Sequence, residues 1–247
     1  MSAPTIVTAA FLVIGDEILS GRTKDKNIGF IADHLTAIGI QLKEVRVVAD
    51  ETARIIEAVN ALRTVYDYVF TSGGIGPTHD DITADAMAAA FGVSIDHDPR
   101  AIAIMAPHYA ERGLEFTDAR KRMARIPAGA DLIENAISKA PGFMLGNVVV
   151  MAGVPNIMQA MLLAVTPKLR TGAKITSVTV TVRRPESEIA EPFAALQQRF
   201  PDVPMGSYPF SEDGKYGAHL VLRATDPARL VMAEAALRAD FSSRGLI

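Results

Sequence analysis

Three times within the first 72 residues, a short apolar run rich in β-branched side chains gives way to a segment of helical periodicity, and this alternation narrows the possible folds most. Residues 5–14 end at Gly15 and read as a strand buried on both faces; residues 27–38 read as a helix stopped by Gly39. Residues 41–48 form a second strand, Thr52–Arg63 a second helix and residues 67–72 a third strand. Repeated strand–helix–strand units close by right-handed crossovers into a parallel sheet. The expected class is therefore α/β: a three-layer, mostly parallel sheet with helices on both faces. Helical segments follow at Thr83–Phe91, Pro99–Glu111 and near residues 118–123; Val148–Met151 is strand-like, and Gly153-Val154-Pro155-Asn156 opens a last helix reaching about Leu169. The pattern changes at Thr171-Gly172. Residues 1–171 are expected to form one domain and residues 172–247 a small α+β domain of order β-α-β-β-α.

Composition sets the limits of function. With 49% hydrophobic and 21% charged residues the chain is a folded globule, and a formal charge of −3 gives no global attraction to nucleic acid or to an anionic membrane. An anion must be held locally. The absence of cysteine excludes disulfides, thiolate catalysis and sulfur-based zinc sites. The opening Met1-Ser2-Ala3-Pro4 lacks a basic segment followed by a long apolar run, and no stretch nears the ~18 apolar residues of a membrane helix, so a cytoplasmic location is expected.

The local binding device is Ser72-Gly73-Gly74-Ile75-Gly76-Pro77-Thr78, placed between a strand and a helix. Three glycines in four positions let the backbone fold over an anion with its N–H groups inward, at a helix start whose partial charge is positive; the same string also serves as a tight strand-to-helix turn. Asp80 and Asp81 follow it. Two carboxylates beside a phosphate repel it unless a hard cation such as Mg²⁺ lies between, whereas helix capping is the other use of one of them. Asp16 and Glu17 follow the first strand and Asp50 ends the second, all at the strand carboxyl ends where open α/β sheets bind ligands. Asp50 can face Asp81 or cap the helix from Thr52. Asn27 caps the first helix or bonds a ligand, and His79 reads as a polar filler inside the turn.

These segments resemble the molybdopterin-binding (MoCF-biosynthesis) domain family, and most closely its branch represented by the N-terminal part of competence-damage inducible protein CinA. The resemblance rests on Gly15-Asp16-Glu17-Ile18-Leu19-Ser20-Gly21 with Asp25 and Asn27, on Asp50, on Ser72 through Thr83, on Ala140-Pro141-Gly142-Phe143 and on Gly153-Val154-Pro155. It implies the molybdopterin-binding fold over the first 170 residues. It also implies a ligand site that takes in Gly15, Asp16, Glu17, Ser20, Asn27, Ser72, Gly73, Gly74, Gly76, Pro77, Thr78, Pro141, Gly142, Gly153 and Pro155. Asp50 and Asp81 would be the catalytic carboxylates, with Asp16, Asp50, Asp80 and Asp81 around Mg²⁺ or another divalent cation. The tail resembles the KH-like domain of that branch, but Gly214-Lys215-Tyr216-Gly217 falls in a hairpin and not between two helices, so RNA is not an expected partner. The branch's larger amidohydrolase domain has no counterpart in these residues, and nicotinamide mononucleotide deamidation is not expected. Three departures stand out: Lys26 replaces a threonine, Ile157 a glutamate, and Ser138-Lys139 a Gly-Thr pair.

Two functions follow from the resemblance. One is Mg²⁺-assisted phosphoanhydride chemistry, either pyrophosphate hydrolysis of ADP-ribose-type dinucleotides or adenylyl transfer from ATP to molybdopterin in molybdenum cofactor biosynthesis. The other is a non-catalytic module that binds molybdopterin or a nucleotide. In both the partner is a small phosphate-containing ligand (molybdopterin, ADP-ribose or ATP), and the family implies a homo-oligomer.

Overall fold

The computed structural model describes residues 5–212 and 214–247, which divide into two compact units, Thr5–Gly172 and Ala173–Ile247. The first is built on a six-stranded sheet. Its strands are β1 (Val7–Ile14), β2 (Ile40–Val48), β3 (Tyr68–Ser72), β6 (Asp131–Ile133), β7 (Gly142–Leu145) and β8 (Val148–Met151), in the order β2-β1-β3-β8-β7-β6. Neighbours are parallel from β2 to β8, while β7 runs antiparallel to both β8 and β6, so five of the six strands point the same way. The crossovers carry α2 (Asn27–Ala37), α3 (Thr52–Arg63), α4 (Thr83–Phe91) and α5 (Pro99–Glu111), and α7 (Pro155–Val165) follows β8.

β1 shows why the sequence folds this way. Its Ala10, Leu12 and Ile14 enter a core with Ile55, Val59 and Leu62 of α3 and Met87 of α4. Val7, Ala9, Phe11 and Val13 enter a second core with Ile31 and Leu35 of α2 and Met158 and Leu162 of α7. Period-2 side chains that are apolar on both faces demand helices on both faces, and burying each large side chain stabilises the fold by roughly 1.5–3 kcal/mol. The helix ends follow local chemistry: Asp98 accepts the Arg100 amide at 2.7 Å before Pro99 opens α5, and Gly92 closes α4 with φ of 66°.

Several short elements lie outside the sequence expectation. They are α1 (Asp16–Leu19) and the strands β4 (Ile95–His97), β5 (Arg125–Pro127), β6 and β7, whereas the short helix expected near residues 118–123 is present as α6 (Asp118–Lys121). Three or four residues cannot display a period, and tertiary pairing makes these strands: β4 pairs with β5, and β6 and β7 extend the sheet beyond β8. An Arg125–Asp85 fork at 2.7 and 2.6 Å ties β5 to the first turn of α4.

The second unit contains β9 (Thr176–Val182), α8 (Glu186–Arg199), β10 (Met205–Glu212), β11 (Lys215–Ala224) and α9 (Pro227–Ser243). Its antiparallel sheet, β10-β11-β9, packs Val180, Leu220 and Leu222 against Ile189, Leu196 and Leu237 of the two helices. Lys215, Tyr216 and Gly217 are the start of β11, inside the hairpin. Among the described residues, no helix is long and apolar enough to cross a membrane.

Candidate functional site

The loops that leave β1, β3 and β8 meet at their carboxyl ends. Gly73 is the junction: its φ is 108°, and a Cβ added there would lie 2.0 Å from the Ile14 carbonyl oxygen. Gly74, at φ 67°, would place a Cβ 2.1 Å from Thr83 Oγ1, and a Cβ on Gly153 would stand 3.2 Å from the Gly73 Cα. The three loops therefore touch through backbone, which only glycine permits. Main-chain bonds fix the arrangement, Gly73 N donating to Met151 O at 3.1 Å and Thr83 N to Gly74 O at 2.9 Å. Gly74, Ile75 and Gly76 donate their amides to no protein group among the described residues.

Past the glycines the chain turns on Asp81, whose carboxylate accepts the Thr78 amide at 2.8 Å and the Thr78 hydroxyl at 2.5 Å. α4 begins at Thr83 with no side-chain cap, so neither Asp80 nor Asp81 caps the helix. The capping alternative fails for Asp50 as well. Its carboxylate accepts the Asp16 amide at 2.9 Å, and Asp16 accepts the Asp50 amide at 3.4 Å, which joins the ends of β1 and β2. At α2 the capping acceptor is Asp25, which takes the Asn27 and Ile28 amides at 3.0 and 2.7 Å. Asn27 is left to donate its own amide group to Gly153 O at 2.9 Å.

Between the loops lies a cleft of about 570 Å³. Ile14, Ile75, Met123, Val154, Ile157 and Met161 give it an apolar wall, and Glu17, Asp50, Asp80 and Asp81 an acidic end; among the described residues no Lys, Arg or His lines it. Burial, and then the negative charges of Asp16, Glu17 and Asp80, push the Asp50 carboxyl above its ordinary value, against the pull of the Asp16 amide.

Of the residues expected from the sequence, Gly15, Glu17, Asp50, Gly73, Gly74, Gly76, Pro77, Asp80, Asp81, Gly153 and Pro155 line the cleft. The others are outside its lining. Asp16 and Asn27 make the bonds described, Thr78 is held by Asp81, and Ser20 donates to Glu17 O at 3.4 Å. Ser72 is buried with no partner for its hydroxyl, Pro141 lines a small cavity behind the turn, and Gly142 packs β7 so closely on β8 that a Cβ would lie 2.5 Å from Val150 O.

Sequence reasoning missed Asn135. It is 2% exposed, lines the cleft, donates to Ser138 Oγ at 2.6 Å and Ala140 O at 2.9 Å, and accepts the Ile137 and Ser138 amides at 3.0 and 3.2 Å. These four bonds pin a loop in which Lys139 takes φ of 63°, a conformation rare outside glycine. A lone asparagine in a polar stretch carries no sequence signal for this.

As to a metal, no three His, Asp or Glu side chains among the described residues converge to enclose one. A Mg²⁺ bridged to phosphate uses only one or two carboxylates plus water, and a cation would offset both the burial of the Asp50 charge and the repulsion from Asp16, Glu17 and Asp80. The Asp16–Asp50 pair fits such an ion in charge and donor type. The same shift has a consequence for stability. Because the Asp50 carboxyl titrates above its unfolded value, its stabilising contribution is present below the ordinary carboxylate range and is lost as pH rises through the raised value. Asp50→Asn is therefore expected to raise the melting temperature by about 2 °C at pH 7 and to leave it unchanged at pH 3. A lower melting temperature at pH 7 would contradict the burial of that charge.

A parallel sheet with a glycine turn at its carboxyl edge and a cleft running from apolar to acidic defines a ligand-binding α/β domain. Residues 10–171 match the family described as probable molybdopterin binding domain, and residues 174–247 match the FAD synthase middle domain. The chain is 34% identical over 217 residues to a protein of Aeropyrum pernix, covering 84% of this chain and 81% of that one. It is 35% identical over 209 residues to a CinA-like protein of Desulfosudis oleivorans, covering 80% of this chain and about half (51%) of that relative. The crystal structure of the protein CinA with unknown function from Thermoplasma acidophilum resembles it with a TM-score of 0.60 at 35% identity, over 66% of this chain and 98% of that one. The chain belongs to the molybdopterin-binding domain family, in the branch of the CinA N-terminal domain.

Proposed function

We propose that the first unit binds a phosphate-bearing pterin or nucleotide across this cleft and performs metal-assisted phosphoanhydride chemistry on it. The chemistry is either hydrolysis of an ADP-ribose-type pyrophosphate or adenylyl transfer to molybdopterin. The observation that carries the reading is the run of three unspent amides, Gly74, Ile75 and Gly76, along the cleft. These three residues are only partly exposed, and successive free N–H groups form a concavity that suits phosphate oxygen. The apolar wall offers Met123, Val154 and Ile157 to a flat ring, and the acidic end lies where the anhydride would extend. A divalent ion held by Asp16 and Asp50 would neutralise charge that develops on the transferred phosphoryl group. The amides orient the anhydride, Asp81 keeps the turn in shape through Thr78, and in hydrolysis Asp80 or Asp50 accepts a hydrogen bond from the attacking water.

Ile157 favours a second reading. It lines the cleft where the branch usually carries a glutamate, and a site without that acid can bind a ligand and turn nothing over. One experiment separates the two: the purified chain is incubated with Mg²⁺ and ADP-ribose, FAD, or ATP plus molybdopterin, while AMP and pyrophosphate are monitored and binding is followed by calorimetry. Product from any mixture establishes the enzyme. Binding without product establishes the module, and a chain that neither binds nor reacts refutes both.

A further inference from the structure

The cleft poses an electrostatic problem: its lining holds four carboxylates and, among the described residues, no cationic side chain, yet the ligand assigned to it is an anion. The missing positive charge is found on the other side of the glycine turn. Arg122 lines a small cavity of about 20 Å³ together with Gly74, Ile75, Gly76 and Asp81, the residues that form the cleft's backbone wall. One terminal nitrogen of Arg122 donates to Asp81 O at 3.4 Å, and its Nε is buried without a partner. The other guanidinium in that cavity, Arg125, is committed to Asp85 at 2.6 and 2.7 Å. Arg122 thus keeps a partly buried charge that no described carboxylate neutralises, a costly arrangement unless another partner offsets it.

We propose that Arg122 is a positioning residue for the anion site. It holds the Asp81 carbonyl, and with it the Thr78–Asp81 turn, and its positive charge acts through the thin glycine backbone on the phosphate bound at the opposite surface. Glycine is what makes this possible, because with no side chains on 73, 74 and 76 only one layer of backbone intervenes and little water screens the field. The ligand class so favoured carries its charge on a phosphoanhydride against the backbone of residues 74–76. This inference rests on the reading of the glycine turn as an anion cradle.

The test uses the full chain and three variants, Arg122→Lys, Arg122→Gln and Arg122→Met, with ADP-ribose plus Mg²⁺ as the probe in calorimetric titrations and with melting temperatures measured in parallel. Lysine keeps the charge without the fork, and glutamine keeps a hydrogen-bond donor without the charge. Arg122→Gln and Arg122→Met are expected to raise Kd about tenfold, while Arg122→Lys stays within about threefold of the parent at a similar melting temperature. A role confined to packing or to the Asp81 hydrogen bond makes affinity follow stability or makes glutamine the better rescue, and either result overturns the proposal. A parent chain that fails to bind ADP-ribose refutes the cradle and this inference together; a parent that binds while Arg122→Gln binds equally well refutes the role of Arg122 alone.

Discussion

Gly73→Ala is expected to destabilise the first unit by about 3 kcal/mol or more, and to abolish binding of any phosphate ligand even where folded protein can be recovered. The methyl group would have to stand 2.0 Å from the Ile14 carbonyl oxygen at a backbone φ of 108°, and the obstacle is main chain, which cannot rotate away. Relief requires the ends of β1 and β3 to separate, and those two ends carry the acidic cluster and the amide run. Gly29→Ala serves as the control. It lies inside α2, a Cβ there meets nothing within 4 Å, and alanine should stabilise by about 0.5–1 kcal/mol. Urea unfolding of both variants decides the matter, and a Gly73→Ala chain within 1 kcal/mol of the parent would show that the strand ends do not abut as described.

Asp81→Ala and Asp50→Asn should each lower turnover at least about 100-fold, with opposite effects on stability. Asp81 accepts two bonds from Thr78, so its removal leaves the turn unsupported, and a Gly76 Cβ would sit 2.6 Å from its carboxylate, so closely does it cover the glycines. Affinity should fall with turnover, and the melting temperature should drop by several degrees. Asp50→Asn keeps an oxygen for the Asp16 amide while it removes a charge that burial penalises, so the chain gains stability as it loses its response to Mg²⁺. A chain that retains full Mg²⁺-dependent turnover with asparagine at position 50 would remove Asp50 from the mechanism.

The long elements were legible because each shows its own period. Thr52–Arg63, Thr83–Phe91 and Pro99–Glu111 fall where apolar spacing, a proline start or a glycine stop places them. β4 to β7 were not legible, since strands of three or four residues are defined by the partners they pair with. In the site, the glycine turn and the strand-end acids could be read directly, because backbone that must approach backbone requires glycine. The division of labour between Asp80 and Asp81 could not. The two are adjacent in sequence, and only the fold shows that Asp81 turns back to Thr78 while Asp80 lines the cleft without that bond. Asn135 and Arg122 escaped for a related reason: their roles come from neighbours contributed by other segments, and neither sits in a motif.

The alternation along β1 has a dynamic consequence. Because consecutive residues of one strand anchor opposite sides of the sheet, neither side can melt while the other persists, and hydrogen exchange should report a single protection level for the amides of β1, β3 and β8. Breathing motions that admit or release a ligand are then left to segments that hang from the strand ends, such as residues 15–26. Those segments, and not the scaffold beneath them, would set how fast the cleft fills and empties.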